Sequence, residues 1–320
     1  MDLPVLQEVE SKPWVGFKRF LFILSAPRSG STLLRVLLNR LPDVISPPET
    51  YFLEFYRDNK KLDPSCPSDR ERIADNWIAF RNHLNARNLY NREDFRKQVC
   101  THARSWSDVF SILVQAYAND AGMTYTRDSL ICEKTPLHIE YQQELTEIFP
   151  EARIIYLVRD PRDVVASLKT CSWASSSVIK NAHYWSKTSK MLRQGEDRLL
   201  VKYEDLVDNP DREFTRIGAF LDMEIDEVVL YSNAPNEEKE SSDPKNVSSY
   251  KPIDKSFKEK WKALLSHPEK ELEVIETICR RQMKVWEYEP LTPFNRPLAM
   301  VLRLRQWTDK QYERIYRRII

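Results

Sequence analysis

The sequence predicts an α/β chain built on a central parallel sheet with helices on both faces. Three observations carry this. First, ARIIYLVRD (152–160) is a short continuous apolar run, the signature of a strand buried on both faces of a parallel sheet. Second, FLFIL (20–24) and RLLVKYEDL (198–206) repeat that character, and turn residues or charge bound each run. Third, segments of helical period lie between these runs, and strands alternating with helices give a parallel sheet.

Taken in order, residues 1–18 read as a lead-in and 19–25 as the first strand. Residues 30–41 follow as a helix, with Leu33, Leu34, Leu37, Leu38 and Leu41 on one face and Pro42 ending it. A short strand is expected at Val44-Ile45. From 51 to 128 the pattern is helical and charged, with Trp77, Phe80, Trp106 and Phe110 as core anchors. LICEK (130–134) reads as a strand tip, 138–149 as a helix, and 152–160 as the clearest strand. Pro161 opens the next helix, the position where its missing N–H is harmless. Helices are expected at 182–194, 211–222 and 257–284, a strand at 198–206, and a polar loop at 232–256. NAHYWSK (181–187) reads as core, and Cys171 through Ser177 as a lip beside a site. The organisation expected is a lead-in (1–18), a single domain (19–290) and a basic helical tail (291–320).

The 320 residues are 42% apolar and 30% charged, ordinary for a globular protein, so overall disorder is excluded. A formal net charge of +1 gives no global field for nucleic acid, and any anion site must be local. The five cysteines form no CxxC pair, which reads as free thiols in a reducing compartment. The acidic start MDLPVLQEVESKPW lacks the layout of a signal peptide, and no stretch has the ~18–20 apolar residues of a membrane span. A cytoplasmic setting is expected. The basic tail (Arg303, Arg305, Arg314, Arg317, Arg318) admits weak peripheral contact with an anionic surface, although a packed terminal helix explains the same spacing.

The chemistry begins at Ser25-Ala26-Pro27-Arg28-Ser29-Gly30-Ser31-Thr32, between the first strand and its helix. A strand-loop-helix with small residues at the bend turns backbone N–H groups and a helix N-terminus toward an anion. Gly30 allows close approach, Ser29, Ser31 and Thr32 add hydroxyls, and Arg28 adds a forked cation. Ser and Thr are also ordinary helix caps, so a merely capped helix start is the competing explanation. The loop lacks the lysine of a nucleoside triphosphatase, since Ser31 follows Gly30. Asp160 is the one strand-end carboxylate suited to Mg²⁺, so ATP hydrolysis with Mg²⁺ is disfavoured.

With PPET (47–50), CEKTPLH (132–138), FPEARIIYLVRDPRDVVASL (149–168), LLVKYEDLVDNP (199–210) and the KP…KW stretch (251–261), the loop SAPRSGSTLLR (25–35) resembles the sulfotransferases that use 3′-phosphoadenosine 5′-phosphosulfate (PAPS). The likeness is to bacterial enzymes related to the tyrosylprotein branch, and it spans about residues 20 to 290. It implies a sulfotransferase fold like that of the P-loop nucleoside triphosphatases, with PAPS as donor, PAP as product and no metal required.

On that resemblance Pro27 to Thr32 hold the 5′-phosphosulfate, and Arg159 and Ser167 hold the 3′-phosphate. Tyr203 lies against the adenine, and Lys260 and Ser248 reach the nucleotide from the late loop. Taken alone, Arg159 would be read as an ion-pair partner of Asp160 or Asp163. Glu49, stiffened by two preceding prolines, is preferred as general base. His138 is its rival, because an imidazole titrates nearer neutrality. Arg28 and Lys134 are implied to stabilise charge on the leaving oxygen. Lys134 alone would be read as a partner of Glu133 or Glu140. The tryptophan after the first loop and the GxxGxxK motif of the cytosolic branch are missing, so other groups must pack the adenine.

The function expected is sulfuryl transfer to a hydroxyl, less readily an amine, of a small-molecule, lipid or carbohydrate acceptor. With no membrane anchor in the sequence, a protein-tyrosine acceptor in a secretory compartment is not expected. The alternatives are a P-loop nucleotide kinase, which would need the missing lysine, and a non-catalytic PAP-binding protein, which would not need Glu49 and Lys134.

Overall fold

The run Arg19–Ser25 forms β1, and its last five side chains are all buried, as an apolar strand without alternation requires. The computed structural model describes residues 14–83, 91–192, 195–225 and 258–302. Most of the lead-in, the 232–256 loop with Ser248, and the tail from 303 lie outside them. A five-stranded sheet has the order β2-β3-β1-β4-β5, with β2 at Val44–Ile45, β3 at Leu130–Glu133, β4 at Arg153–Val158 and β5 at Arg198–Lys202. The pairs β1–β3, β2–β3 and β4–β5 are parallel. The order reverses around β1, and in open α/β sheets such a switch point marks where ligands bind beyond the strand ends.

Two compact units divide the chain. One contains the chain up to Phe22 and Leu38–Arg153. Its helices are α2 (Phe52–Asn59), α3 (Pro67–His83), α4 (Arg92–His102), α5 (Trp106–Asp120) and α6 (Gln142–Ile148). The expected anchors form its aromatic core: Phe52 lies 4.9 Å from Phe110, Phe55 4.9 Å from Trp77, and Phe80 and Trp106 flank them. Ser105 and Asp108 close a reciprocal capping box at the start of α5.

The other unit contains Ile23–Leu37 and the chain from Ile154. It holds α1, which runs over Ser31–Asn39 and so ends just outside it, α7 (Pro161–Lys169), α8 (Val178–Ser189), α9 (Tyr203–Asp208), α10 (Pro210–Leu221), α11 (Trp261–Leu264) and α12 (Pro268–Val285). Its core gathers Val158, Val164, Val165, Trp185, Trp261, Ile275 and Met283. Trp185, expected as core, is fully buried there.

Several boundaries differ from expectation for local reasons. The expected strand 198–206 stops at Lys202, because Glu204 and Asp205 favour the first turn of a helix, and α9 starts at Tyr203. The expected helix 138–149 is a 3₁₀ turn (Pro136–Glu140) and then α6, with Tyr141 breaking between them. α8 starts early at Val178 because the Ser177 hydroxyl accepts from Lys180 N–H, so Ser177 caps a helix. Pro268 restarts the helix expected at 257–284, which divides its described part into α11 and α12.

Candidate functional site

In the unit containing α1, the loop after β1 has two residues with left-handed backbone, Arg28 (φ 68°) and Gly30 (φ 93°). Glycine is required at the second for two reasons. An L side chain rarely adopts that φ, and a Cβ there would lie 2.3 Å from Cδ2 of Tyr203. Tyr203, the first residue of α9, therefore lies directly against the loop and is 4% exposed. Ser31 and Thr32 begin α1, whose first N–H groups have no partner within the helix. Arg28 Nε donates to Ser167 Oγ on α7 at 3.1 Å.

Arg159 follows β4 and draws the cluster together. Its Nη1 donates to the carbonyl of Arg28 (3.2 Å), its Nη2 to Asp163 (3.2 Å), and its guanidinium lies 4.3 Å from the Tyr203 ring centroid. The Trp185 indole donates to the Arg159 carbonyl at 3.0 Å and fixes its backbone. Asp163 also accepts from the backbone N–H groups of Glu259 and Trp261, both at 3.0 Å, which ties down the turn that carries Lys260. Burial pushes the Asp163 carboxyl up despite the nearby Arg159. Arg159 thus pairs with Asp163, while Asp160 is engaged by Arg162. The loop, Arg159, Ser167 and Tyr203 come together, and Lys260 opens α11 at the tethered turn. The hydroxyls of Ser25 and Ser29 are buried and have no hydrogen-bond partner. Such orphaned donors in an electropositive bend are what an anion would satisfy.

In the other unit, β2 and β3 run parallel, so the chain leaves both at the same end. Ser46 Oγ donates to the Cys132 carbonyl at 2.6 Å, and the strands deliver Glu49 and Lys134 side by side. Lys134 Nζ stands 2.6 Å from Glu49 Oε1, a partner other than the Glu133 or Glu140 read for it from the sequence alone. The phenol of Tyr51 donates to Glu49 Oε2 at 2.9 Å. Burial alone would raise the Glu49 carboxyl, but Lys134 and then the Tyr51 phenol hold it below its usual range. Glu49 keeps 34% of its side chain exposed, whereas Lys134 keeps 4%.

His138 lies in the 3₁₀ turn and is completely buried. Its Nδ1 is 2.8 Å from Glu133 Oε2 and its Nε2 is 3.0 Å from Glu54 Oε2. A neutral Nε2 would instead accept from the Leu53 N–H, at 3.3 Å. The Glu54 oxygens otherwise have no hydrogen-bond partner, and that favours a protonated ring. Burial pushes the imidazole down, but Glu133 and then Glu54 outweigh it and raise it to about 9. Sequence reasoning missed Glu133, Tyr51 and Arg81, whose Nη1 donates to the carbonyls of Glu49 and Thr50. Among the described residues no group of three His, Cys, Asp or Glu side chains is arranged to hold a metal ion.

Residues 21–227 match the family described as the sulfotransferase family. The chain belongs to the sulfotransferase family. The protein-tyrosine sulfotransferase of Drosophila melanogaster is 25% identical over 232 residues, 68% of this chain and 41% of that protein. Nodulation protein NoeE of Sinorhizobium fredii is 25% identical over 226 residues, 62% of this chain and 49% of that one. The chain thus spans less than half the length of either. Among solved sulfotransferase structures, the domain from the Synechococcus PCC 7002 olefin synthase superposes with a TM-score of 0.61 at 23% identity, covering 89% of this chain and 99% of that domain. The domain from the curacin biosynthetic pathway gives 0.55 at 22% identity, covering 86% and 99%. The α/β architecture is that of these sulfotransferases. No described helix is long and apolar enough to cross a membrane.

Proposed function

We propose that this chain transfers a sulfuryl group from PAPS to a hydroxyl, less readily an amine, of a small-molecule, lipid or carbohydrate acceptor, without a metal. The observation that carries the reading is the loop cluster around Gly30. Two arginines, a helix N-terminus and the orphaned, buried Ser29 hydroxyl converge there without a lysine. These residues fit a phosphosulfate. When bound, PAPS supplies the sulfuryl group and a stable leaving anion.

The chain's own residues do the rest. Pro27 to Thr32 bind the 5′ side through backbone N–H groups and hydroxyls, with Arg28 countering the charge that develops on the leaving side. Arg159 and Ser167 bind the 3′-phosphate. Tyr203 supports the loop and Arg159 and leaves little of its ring for an adenine, and Lys260 reaches the nucleotide from its tethered turn. Ser248 is assigned with them on the resemblance alone.

Glu49 takes the acceptor proton. It is partly exposed and held ionised, whereas His138 is enclosed and holds its own proton. Lys134 keeps Glu49 charged and aimed. A cytoplasmic setting fits the five free cysteines. The curated relatives named as protein-tyrosine sulfotransferases act on a phenolic hydroxyl, which falls within the hydroxyl class.

Melting with PAP, ADP or ATP–Mg²⁺, each in large excess, tests the donor site. A ligand at about 100 times its Kd stabilises the folded state by ~2.7 kcal/mol. The expected order is PAP well ahead of both others. A larger shift with ATP–Mg²⁺ overturns the reading in favour of a P-loop phosphotransferase. Glu49→Gln should keep the PAP shift and lose turnover of PAPS. Normal turnover in that variant overturns the assignment of the base.

A further inference from the structure

We propose that Tyr51 is a specificity and positioning residue whose phenol holds, at Glu49 Oε2, the hydrogen-bond position that the acceptor hydroxyl takes. This rests on Glu49 being the base.

The two oxygens of Glu49 are held differently. Oε1 faces a buried lysine ammonium at 2.6 Å, a charge-assisted contact and the stronger of the two. Among the described residues, Oε2 accepts only from a neutral phenol, at 2.9 Å. An incoming hydroxyl exchanges with the weaker, neutral partner, and the replacement is like for like: one O–H donor for another. Oε2 is therefore the oxygen that receives the proton.

The backbone at Tyr51 points the same way. Tyr51 is the N-cap residue of α2, where Ser, Thr, Asp or Asn ordinarily caps the helix, and its side chain makes no capping bond. It sits at φ 57°, ψ 28°, a left-handed conformation that is an outlier for a bulky residue. Thr135 Oγ1, which accepts from the Tyr51 N–H at 3.3 Å, helps to hold it there. Tyr51 leaves the cap to Thr50, whose hydroxyl accepts from the Phe52 N–H at 3.2 Å, and it adopts an unfavourable backbone while its ring reaches back two residues to Glu49. Strain of this kind, held by surrounding contacts, is a pointer to function. The Tyr51 residue is half-buried rather than enclosed.

Tyr51→Gly suits the test, because glycine accepts the left-handed backbone and opens a phenol-sized space beside Glu49. The probe is p-cresol, titrated by ligand-observed NMR against the PAP-saturated protein. Tyr51→Gly should bind p-cresol about five- to tenfold more tightly than the parent chain, the weight of one neutral hydrogen bond no longer displaced. Tyr51→Gly combined with Glu49→Gln should lose that gain. Equal binding to parent and Tyr51→Gly, or no binding to either, overturns the proposal. So does a gain that survives Glu49→Gln. The base assignment fails separately, through PAPS turnover by Glu49→Gln alone. Tyr51→Phe gives the second readout: loss of the phenol donor should raise the Glu49 carboxyl pKa, followed by ¹³C NMR of labelled glutamate, and an unmoved titration also overturns the proposal.

Discussion

Glu133 Oε2 lies 2.8 Å from His138 Nδ1, and the other oxygen of that carboxylate accepts from the hydroxyls of Thr50 (2.8 Å) and Thr135 (2.6 Å). Thr50 follows Glu49 in the chain, and Thr135 follows Lys134. One buried carboxylate thus anchors the neighbours of both members of the Glu49–Lys134 pair. The imidazolium keeps that carboxylate ionised where burial would otherwise neutralise it. His138 acts on the pair from behind and as a cation.

The pH dependence of turnover follows from these charges. Glu49 is held below 4.5, so the base is ready throughout the neutral range. His138, raised to about 9, stays protonated there. The kcat/KM profile should therefore be flat from pH 6 to 8, with no inflection near the ordinary imidazole value of ~6.5. A limb that rises through 6.5 and disappears in His138→Gln would show His138 to be the base.

Removing the imidazole should destabilise the fold. His138→Ala leaves Glu133 as an unpaired buried carboxylate, a change that costs about 3–5 kcal/mol. His138→Ala with Glu133→Gln should lose less than the sum of the two single changes, since the members of a pair are not additive. The pH dependence has a definite sign. His138 is raised from 6.5 to about 9, so its contribution is complete below 6.5 and lost as pH rises through 9. Glu133 is lowered from 4.5, so its contribution is present above 4.5 and lost as pH falls through the folded value. Urea midpoints of the parent chain should decline above neutrality, and the difference between parent and His138→Ala should be largest between about pH 5 and 6.5. A difference that is the same from pH 5 to pH 10 would contradict this pairing.

The sequence discloses the parts of the site whose chemistry is contiguous. The loop at 25–32 lies between an apolar strand and a periodic helix, and Arg159 follows the plainest strand in the chain. Glu49 and Lys134 could be named, but not as partners, because a parallel pairing 85 residues apart brings them together. Glu133 read as the polar end of a strand, and only the 3₁₀ turn after it brings His138 back onto it. Tyr51 was missed because an aromatic at a helix start looks like core. Its left-handed backbone is invisible in composition. The misread end of β5 has the same origin: Tyr203 fits a buried strand by hydrophobicity, and the acidic pair after it decides for a helix.

Gly30→Ala tests the close approach of the loop to Tyr203. The new methyl would meet the ring at 2.3 and 2.6 Å, and φ 93° would be strained in any case. A loss of about 1–3 kcal/mol is expected. The thermal shift produced by PAP should shrink with it. Tyr203→Ala added to Gly30→Ala removes the clash but not the strain, so stability should recover in part and PAP binding should not. Full recovery of both would mean that the ring does nothing for the loop beyond crowding it.

Asp163 separates binding by Arg159 from orientation of Arg159. Its carboxylate pairs with Arg159 and accepts from the N–H groups of Glu259 and Trp261, so it holds both the arginine and the turn bearing Lys260. Arg159→Ala removes a cation from the cluster and should abolish the PAP shift, with a modest effect on the apo melting temperature. Asp163→Ala has the opposite balance. It leaves the buried Trp261 N–H unsatisfied, at roughly 1–3 kcal/mol, and frees the part-buried Glu259 N–H. It should lower the apo melting temperature by several degrees and weaken PAP without abolishing it, because Arg159 keeps its charge and its contact with the Tyr203 ring. Calorimetric titration of PAP at two salt concentrations distinguishes the cases: the salt dependence should persist in Asp163→Ala and diminish in Arg159→Ala. If both variants bind PAP like the parent chain, the 3′-phosphate is held elsewhere.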